Sequence, residues 1–344
     1  MSTPTDDAPA RPAPDAVRDP GHGPQSQHGP RAVVTRVLDR AAGWTRWVVL
    51  ANLVGQIAII VTGGFVRLTG SGLGCETWPE CHPGSFVPVR HAATGYHQAI
   101  EFGNRMVTFV LVVVAAATAV LVWRSARAAS VRRLGLVPLV GVLVQAVLGG
   151  ITVLTDLAPQ MVAVHLLVSM ALVALSTLLL ARVVEGDGPP HRVVDPGTWT
   201  LSRVLGVLLV PVLVLGAITT GSGPHGGDDV HAERLPFDPE TVARLHASAV
   251  WLFLVVLVWL LWRTRRFPTP QRVRRALLAV LGLCLLQGAV GYVQYFTGLP
   301  IGMVAVHMML AAVFTATVSW TLLTMRVRPG LEPPSGAVSA ASAT

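Results

Sequence analysis

Gln145 to His165 reads QAVLGGITVLTDLAPQMVAVH, and Gln287 to His307 reads QGAVGYVQYFTGLPIGMVAVH. Nine positions are identical, and both ends are offset by 142 residues. Each copy runs from a Gln inside an apolar helix, through a short loop, to a His near the start of the next helix. Such a duplication is the mark of a bundle built from repeated halves. It sets one imidazole per copy at the same depth in a hydrophobic segment, where a polar ring is costly without a partner.

Working outward, the chain of 344 residues is 52% hydrophobic and 13% charged. A soluble domain carries about twice that charged fraction. Eight apolar runs lie near 45–66, 104–124, 134–154, 162–183, 201–221, 246–263, 274–293 and 303–325. Each is long enough to cross about 30 Å of hydrocarbon. The fold class expected is an all-α membrane protein, its eight transmembrane helices arranged as two pseudo-symmetric four-helix bundles. Residues 45–183 form the N-terminal half, 184–200 a cytoplasmic linker and 201–325 the C-terminal half. Residues 1–44 and 326–344 read as disordered tails, the first rich in Pro, Gly, Asp and Arg and unlike a cleaved signal peptide.

The net charge is +8, and all 26 basic residues are Arg. On a soluble protein this would suggest nucleic acid, but the placement excludes it. Arg124, Arg127, Arg132 and Arg133 follow the second span, Arg182 and Arg192 the fourth, and Arg326 and Arg328 the eighth. Arg263, Arg265, Arg266, Arg272, Arg274 and Arg275 fill the loop after the sixth. The alternate loops carry Glu76, Glu80, Asp156, Asp228, Asp229, Glu233, Asp238 and Glu240. This is the positive-inside pattern of a multi-pass cell-membrane protein with both termini cytoplasmic.

The two halves each end their first span similarly, at Thr69-Gly70-Ser71-Gly72 and Thr220-Gly221-Ser222-Gly223. Four spans separate the copies, so the repeat is parallel. Moving His246 back by the same offset lands on Asn104. Four equivalent positions follow, Asn104, His165, His246 and His307, all within about two turns of the outer ends of their spans. His246 and His307 point to bis-imidazole ligation of a b-type haem. Helix-end histidines satisfied by water or backbone, chlorophyll-type pigments and copper are the competing readings. Covalent c-type attachment is excluded, since no Cys-x-x-Cys-His occurs. Copper would want soft sulfur or a third imidazole, and Cys284 reads as a small core residue.

His165 is either an axial contact to a second porphyrin or a relic of the duplication. Asn104 is a poor iron ligand, so that site holds its porphyrin by one strong ligand, unless His97 substitutes. Glu101 stands three residues before Asn104 on the same helical face. A carboxylate losing solvation at the hydrocarbon edge suits proton transfer; the alternative is an ion pair with Arg105 or Arg67. Arg105 suits a propionate partner or an interfacial snorkelling role. Cys75 and Cys81 frame the outer loop CETWPEC, where oxidation to a disulfide is permitted and two reduced thiols are the alternative.

These motifs together resemble the haem A synthases. GFVRLTGSGLGCETWPEC (Gly64 to Cys81) is similar to that family's first-span end and first outer loop, and EFGNR (Glu101 to Arg105) to its Glu-aromatic-x-His-Arg block. His165, His246 and His307 match its other three histidines. The resemblance covers about 45–325. It implies oxidation of the C8 methyl of haem O to a formyl group by two successive hydroxylations, giving haem A. It implies a resident haem b on His246 and His307, and substrate haem O in the first half near His165, Asn104 and Arg105. Glu101 would be the catalytic carboxylate, and Cys75 and Cys81 the loop disulfide. Asn104 departs from the family pattern, which has His there.

A b-type cytochrome that relays electrons from quinol without porphyrin chemistry is the alternative function, and a small-solute or haem transporter a third. The first explains the histidines but not Glu101 or the cysteine loop. The second would favour broken helices near the midplane. The partners expected are haem O, the haem O synthase (a farnesyltransferase), a membrane electron acceptor, the lipid bilayer and a second copy of the chain as a homo-oligomer, with no nucleic acid. The haem sites are expected toward the outer leaflet.

Overall fold

The structure, a computed structural model, describes residues 43–88, 95–228 and 233–329. Of the disordered tails expected over 1–44 and 326–344, residues 1–42 and 330–344 lie outside the described residues, as does Asp229. The helices are α1 (Thr45–Leu68), α2 (Gly95–Arg124), α3 (Ala129–Leu134), α4 (Val137–Leu154), α5 (Pro159–Val184), α6 (Pro196–Ser222), α7 (Pro239–Arg266), α8 (Gln271–Phe296) and α9 (Ile301–Thr324). Two short strands, β1 (His191–Arg192) and β2 (Arg326–Val327), pair antiparallel. Counting α3 with α4 as one, eight helices are long and apolar enough to cross a membrane.

Local chemistry sets the helix starts. Proline stands in the first turn of α4, α5, α6 and α7, where its missing N–H is no loss. Asp195 and Asp238 cap α6 and α7 by accepting N–H bonds from Thr198 and Thr241. Two helices start two turns or so earlier than the hydropathy suggested. α2 begins at Gly95 rather than 104, and α7 at Pro239 rather than 246. Their first two turns carry polar residues that a hydrophobic window rejects but a helix end outside the hydrocarbon accepts. Asn104 and His246 therefore lie inside their helices.

The duplication persists in the backbone. Leu157 and Leu299, equivalent under the 142-residue offset, both adopt left-handed φ of 59°. The Leu157 N–H donates to the Thr152 carbonyl at 2.8 Å, and the Leu299 N–H to that of Gln294 at 2.7 Å, again equivalent residues. Non-glycine residues enter this region rarely, so two at one repeat position reflect a shared turn. The side chains repeat too: Gln145 Nε2 donates to the His165 carbonyl at 2.9 Å, and Gln287 Nε2 to that of His307 at 3.0 Å.

In the first half α1 neighbours α2, α2 neighbours α4, α4 neighbours α5, and α5 returns to α1. In the second half α6, α7, α8 and α9 follow the same cycle. Contacts between these sets run through α1, α5, α6 and α9. Leu53 and Ile60 of α1, Met170 and Val173 of α5 and Ala312 of α9 are buried together there. On the face bearing the disulfide loop, the Gly72 N–H donates to the Gly227 carbonyl at 2.8 Å, and Arg67 reaches the Thr220 carbonyl at 3.0 Å.

The opposite, arginine-rich face is tied by ion pairs. Arg127 meets Asp187 at 3.2 Å, Arg182 meets Glu185 at 3.4 Å, and Arg263 meets Asp195 at 2.6 Å. Residues 326–329 were expected in a disordered tail; instead Arg326 and Val327 pair with the linker strand, and the Arg328 carbonyl accepts from Gly186. Backbone pairing with β1 supplies order that side-chain hydrophobicity does not announce.

Candidate functional site

Four positions sit six to nine residues inside the ends of α2, α5, α7 and α9 that open on the disulfide-loop face: Asn104, His165, His246 and His307. At 1.5 Å per residue that is a depth of about 10 Å. α7 and α9 occupy opposite corners of their cycle, and so do α2 and α5. Each half thus carries two of these positions on diagonally placed helices.

In the second half the His246 and His307 rings face each other with centroids 6.5 Å apart and planes at 73°. The His246 Nδ1 lies 3.1 Å from the Val212 carbonyl. Donation there leaves Nε2 as a free lone pair, the second-shell arrangement that readies an imidazole for a metal. The ring Nδ1 of His307 is buried without a protein partner. Metal–imidazole bonds of about 2 Å on each side, with about 1 Å from nitrogen to ring centre, add to about 6 Å. The centroid separation of 6.5 Å is thus of the size that a metal held between two imidazoles requires. Among the described residues no three or more His, Cys, Asp or Glu gather to hold a metal ion. Two imidazoles suit a metal whose remaining positions belong to its own macrocycle, as in a haem.

Backbone without side chains makes room for these rings. A Cβ at Gly291 would stand 3.2 Å from the His307 ring, and one at Gly149, its repeat equivalent, 3.4 Å from that of His165. Below the histidine pair, Phe253 and Phe314 close the space with ring centroids 5.3 Å apart. They follow His246 and His307 by seven residues each. The first half has Leu111 and Leu172 at those positions, both buried.

The first half differs where the sequence does. Asn104 Oδ1 accepts from Thr62 Oγ1 at 2.7 Å, beside Gly63. The His165 Nδ1 is buried without a partner. His97 is engaged elsewhere, 2.9 Å from Ser71 Oγ in the outer loop. That contact draws it away from the substitute-ligand role.

Glu101 is 5% exposed, and both carboxylate oxygens are held. One accepts from the Cys75 N–H at 2.7 Å, the other from Arg105 at 2.7 Å. The ion-pair alternative is thus realised with Arg105 and not with Arg67. A carboxylate has about four acceptor positions, so two engaged bonds leave capacity for a further donor. Arg105 also donates to the carbonyls of Thr77 at 3.1 Å and Glu80 at 3.2 Å. Its guanidinium thus ties Glu101 to the loop carbonyls. Cys75 and Cys81 are joined in a disulfide, and Cys284 is a free, buried cysteine. Trp78 of the same loop lies on α4: a Cβ at Gly150 would meet its indole at 2.3 Å. Sequence reasoning named Glu101, Arg105 and the cysteines but missed Trp78, Thr62 and the Phe253–Phe314 floor. The seven-residue spacing from each His was the available signal for the last.

Against this geometry stands the comparison with known proteins. The family model described as COX15-CtaA, cytochrome oxidase assembly protein, matches residues 45–224. The chain belongs to this family. The match takes in the whole first half and α6, hence Glu101, the disulfide loop and the Asn104–His165 diagonal. Similar proteins extend the likeness further. A protein named Heme A synthase from Lysinibacillus sphaericus is 23% identical over 81% of this chain and 94% of its own length. One of the same name from Symbiobacterium thermophilum is 28% identical over 72% of this chain and 84% of its own. A third, from Shewanella oneidensis, is 25% identical over 76% and 90%.

Proposed function

We propose that this chain is a haem A synthase, an oxidoreductase that converts haem O to haem A by oxidising the C8 methyl to a formyl group in two successive hydroxylations. The observation that carries this reading is the contrast between the halves. One diagonal holds two facing imidazoles; the matched diagonal holds Asn104 and His165, with the buried Glu101 one turn away on α2. A relay cytochrome has no use for that asymmetry, and the names of the relatives support the synthase.

His246 and His307 would hold a resident haem b, with Gln287 and the Val212 carbonyl fixing their helices and ring orientation. Bound there, that haem would supply one-electron redox capacity. In the first half His165 binds the substrate's iron on one side only, because an asparagine amide is a weak donor to iron. One strong ligand lets substrate enter and product leave. Glu101 accepts a proton and stabilises positive charge developing at the methyl carbon. Arg105 and the Cys75 N–H keep the carboxylate in place, and the disulfide loop with Trp78 excludes water from that side. We assign the arginine-rich face to the cytoplasm and the protein to the cell membrane, which puts the haem sites toward the outer leaflet. A farnesyltransferase would supply haem O, and a membrane acceptor would take the electrons.

The test is direct. Purified protein given haem O should yield haem A on pigment extraction, and its own spectrum should carry a low-spin b-type haem. A colourless protein from haem-replete cells overturns the reading.

A further inference from the structure

On the arginine-rich face, α8 and α9 enclose a groove of about 570 Å³ that the chemistry above does not use. Its mouth carries Arg272, Arg275 and Trp320; its walls are Ala276, Ala279 and Thr317. Arg272, Arg275 and Trp320 are exposed.

Two independent observations point to a ligand. The first is charge. From Thr241 to Pro329 the chain has nine Arg and no Asp or Glu. Acids from elsewhere pair with some of them: Glu240 with Arg244, Asp195 with Arg263, and Glu185 with Arg326 and Arg328. Among the described residues no carboxylate pairs with Arg272 or Arg275. Arg272 instead donates to the Arg326 carbonyl at 3.4 Å. These two charges, three residues apart on one helical face, await an anion.

The second is the duplication, which provides an internal control. Moving back 142 residues, Ala276, Ala279 and Thr317 correspond to Leu134, Val137 and Leu175. The first half carries large aliphatic residues at these three positions, where the second half carries small ones. Small residues at all three positions of one copy keep a channel running from the two guanidiniums toward the hydrocarbon. Seven residues separate Arg272 from Ala279, a descent of about 10 Å.

We infer that this groove seats an anionic phospholipid, its phosphodiester between Arg272 and Arg275 and one acyl chain along Ala276, Ala279 and Thr317. Guanidinium matches the phosphate bidentately. The Trp320 ring marks the headgroup level, where amphipathic aromatics sit. A soluble anion would satisfy the arginines but not the apolar walls.

The experiment titrates detergent-purified full-length protein with phosphatidylglycerol and reads bound lipid by native mass spectrometry. Phosphatidylcholine and inorganic phosphate serve as comparison arms. Wild-type protein should retain one phosphatidylglycerol in preference to phosphatidylcholine, and phosphate at equal concentration should not displace it. With about 1 kcal/mol per arginine, the double variant Arg272→Gln/Arg275→Gln should bind phosphatidylglycerol about 30-fold more weakly. Ala279→Leu, which keeps both charges and fills the channel, should also lose the bound lipid. Equal retention of the two lipids, displacement by phosphate, or unchanged affinity in the double variant overturns the inference. Should the double variant fail to fold, Ala279→Leu decides alone, and unchanged affinity there overturns it.

Discussion

Phe253 and Phe314 meet 5.3 Å apart, each seven residues below the histidine that faces its partner across the second bundle. The rings of His246 and His307 form the top of a slot and the phenylalanines its floor. Both aromatics are buried, so truncating one opens a cavity in the core. Phe314→Ala should lower thermal stability by about 3–5 kcal/mol. It should also lower the haem-to-protein ratio measured after purification. Full haem content with reduced stability would make the pair a packing feature alone.

His246→Ala or His307→Ala should each remove the resident low-spin haem spectrum, because a single imidazole leaves the other face of the iron open. The measurement is the Soret and α-band spectrum of the reduced protein. An undiminished spectrum in either variant would sink the ligand pair.

Glu101→Gln should keep the haem b spectrum and lower haem A formation by 100-fold or more, the usual scale for losing a positioned general base. The amide still accepts from the Cys75 N–H, so the loop stays placed. Glu101→Ala should add a structural effect: the Cys75 N–H and Arg105 both lose any acceptor on that side chain, and the loop becomes more open to reductant, read as faster thiol labelling of Cys75 and Cys81. Turnover retained in Glu101→Gln would end the catalytic assignment.

Asn104→Ala and His165→Ala separate the two sides of the substrate site. Asn104 bonds to Thr62 and is a weak donor to iron, so its loss should leave turnover within a few-fold. His165→Ala should abolish it. The reverse ranking, read in a haem O conversion assay, would show that the proximal ligand had been assigned to the wrong helix.

Asp195 gives a pH dependence away from the haem sites. Burial opposes its charge, but hydrogen bonds from Thr198 and the Arg263 guanidinium outweigh it and hold the carboxyl below the usual carboxylate range. A depressed folded-state value contributes stability above the unfolded pKa of about 3.9 and loses it as pH falls through the folded value. Asn caps a helix as well as Asp, so wild type should exceed Asp195→Asn in stability at pH 7 only by the ion pair with Arg263, about 0.5 kcal/mol. The gap should begin to narrow near about pH 4 and close only once the pH is below the folded value. A gap independent of pH would remove the charge from the account.

The eight spans, the duplication and the four equivalent positions were legible in the chain itself. Hydrocarbon imposes length and apolarity on each crossing, and a repeated MVAVH needs only comparison of the chain with itself. The arginine-poor and arginine-rich loops were legible for the same reason: charge is excluded from the spans and must gather at their ends. Which polar groups meet was a matter for the tertiary structure. Glu101 had two candidate partners by spacing, and only packing chose Arg105, sending Arg67 to Thr220. His97 lay on a suitable helical face, yet the loop brought Ser71 to it. Trp78 reached Gly150 across more than 70 residues, and the linker strand ordered Arg326 and Val327. Periodicity reports which face of an element is buried; it carries no record of which distant backbone or side chain will cover that face.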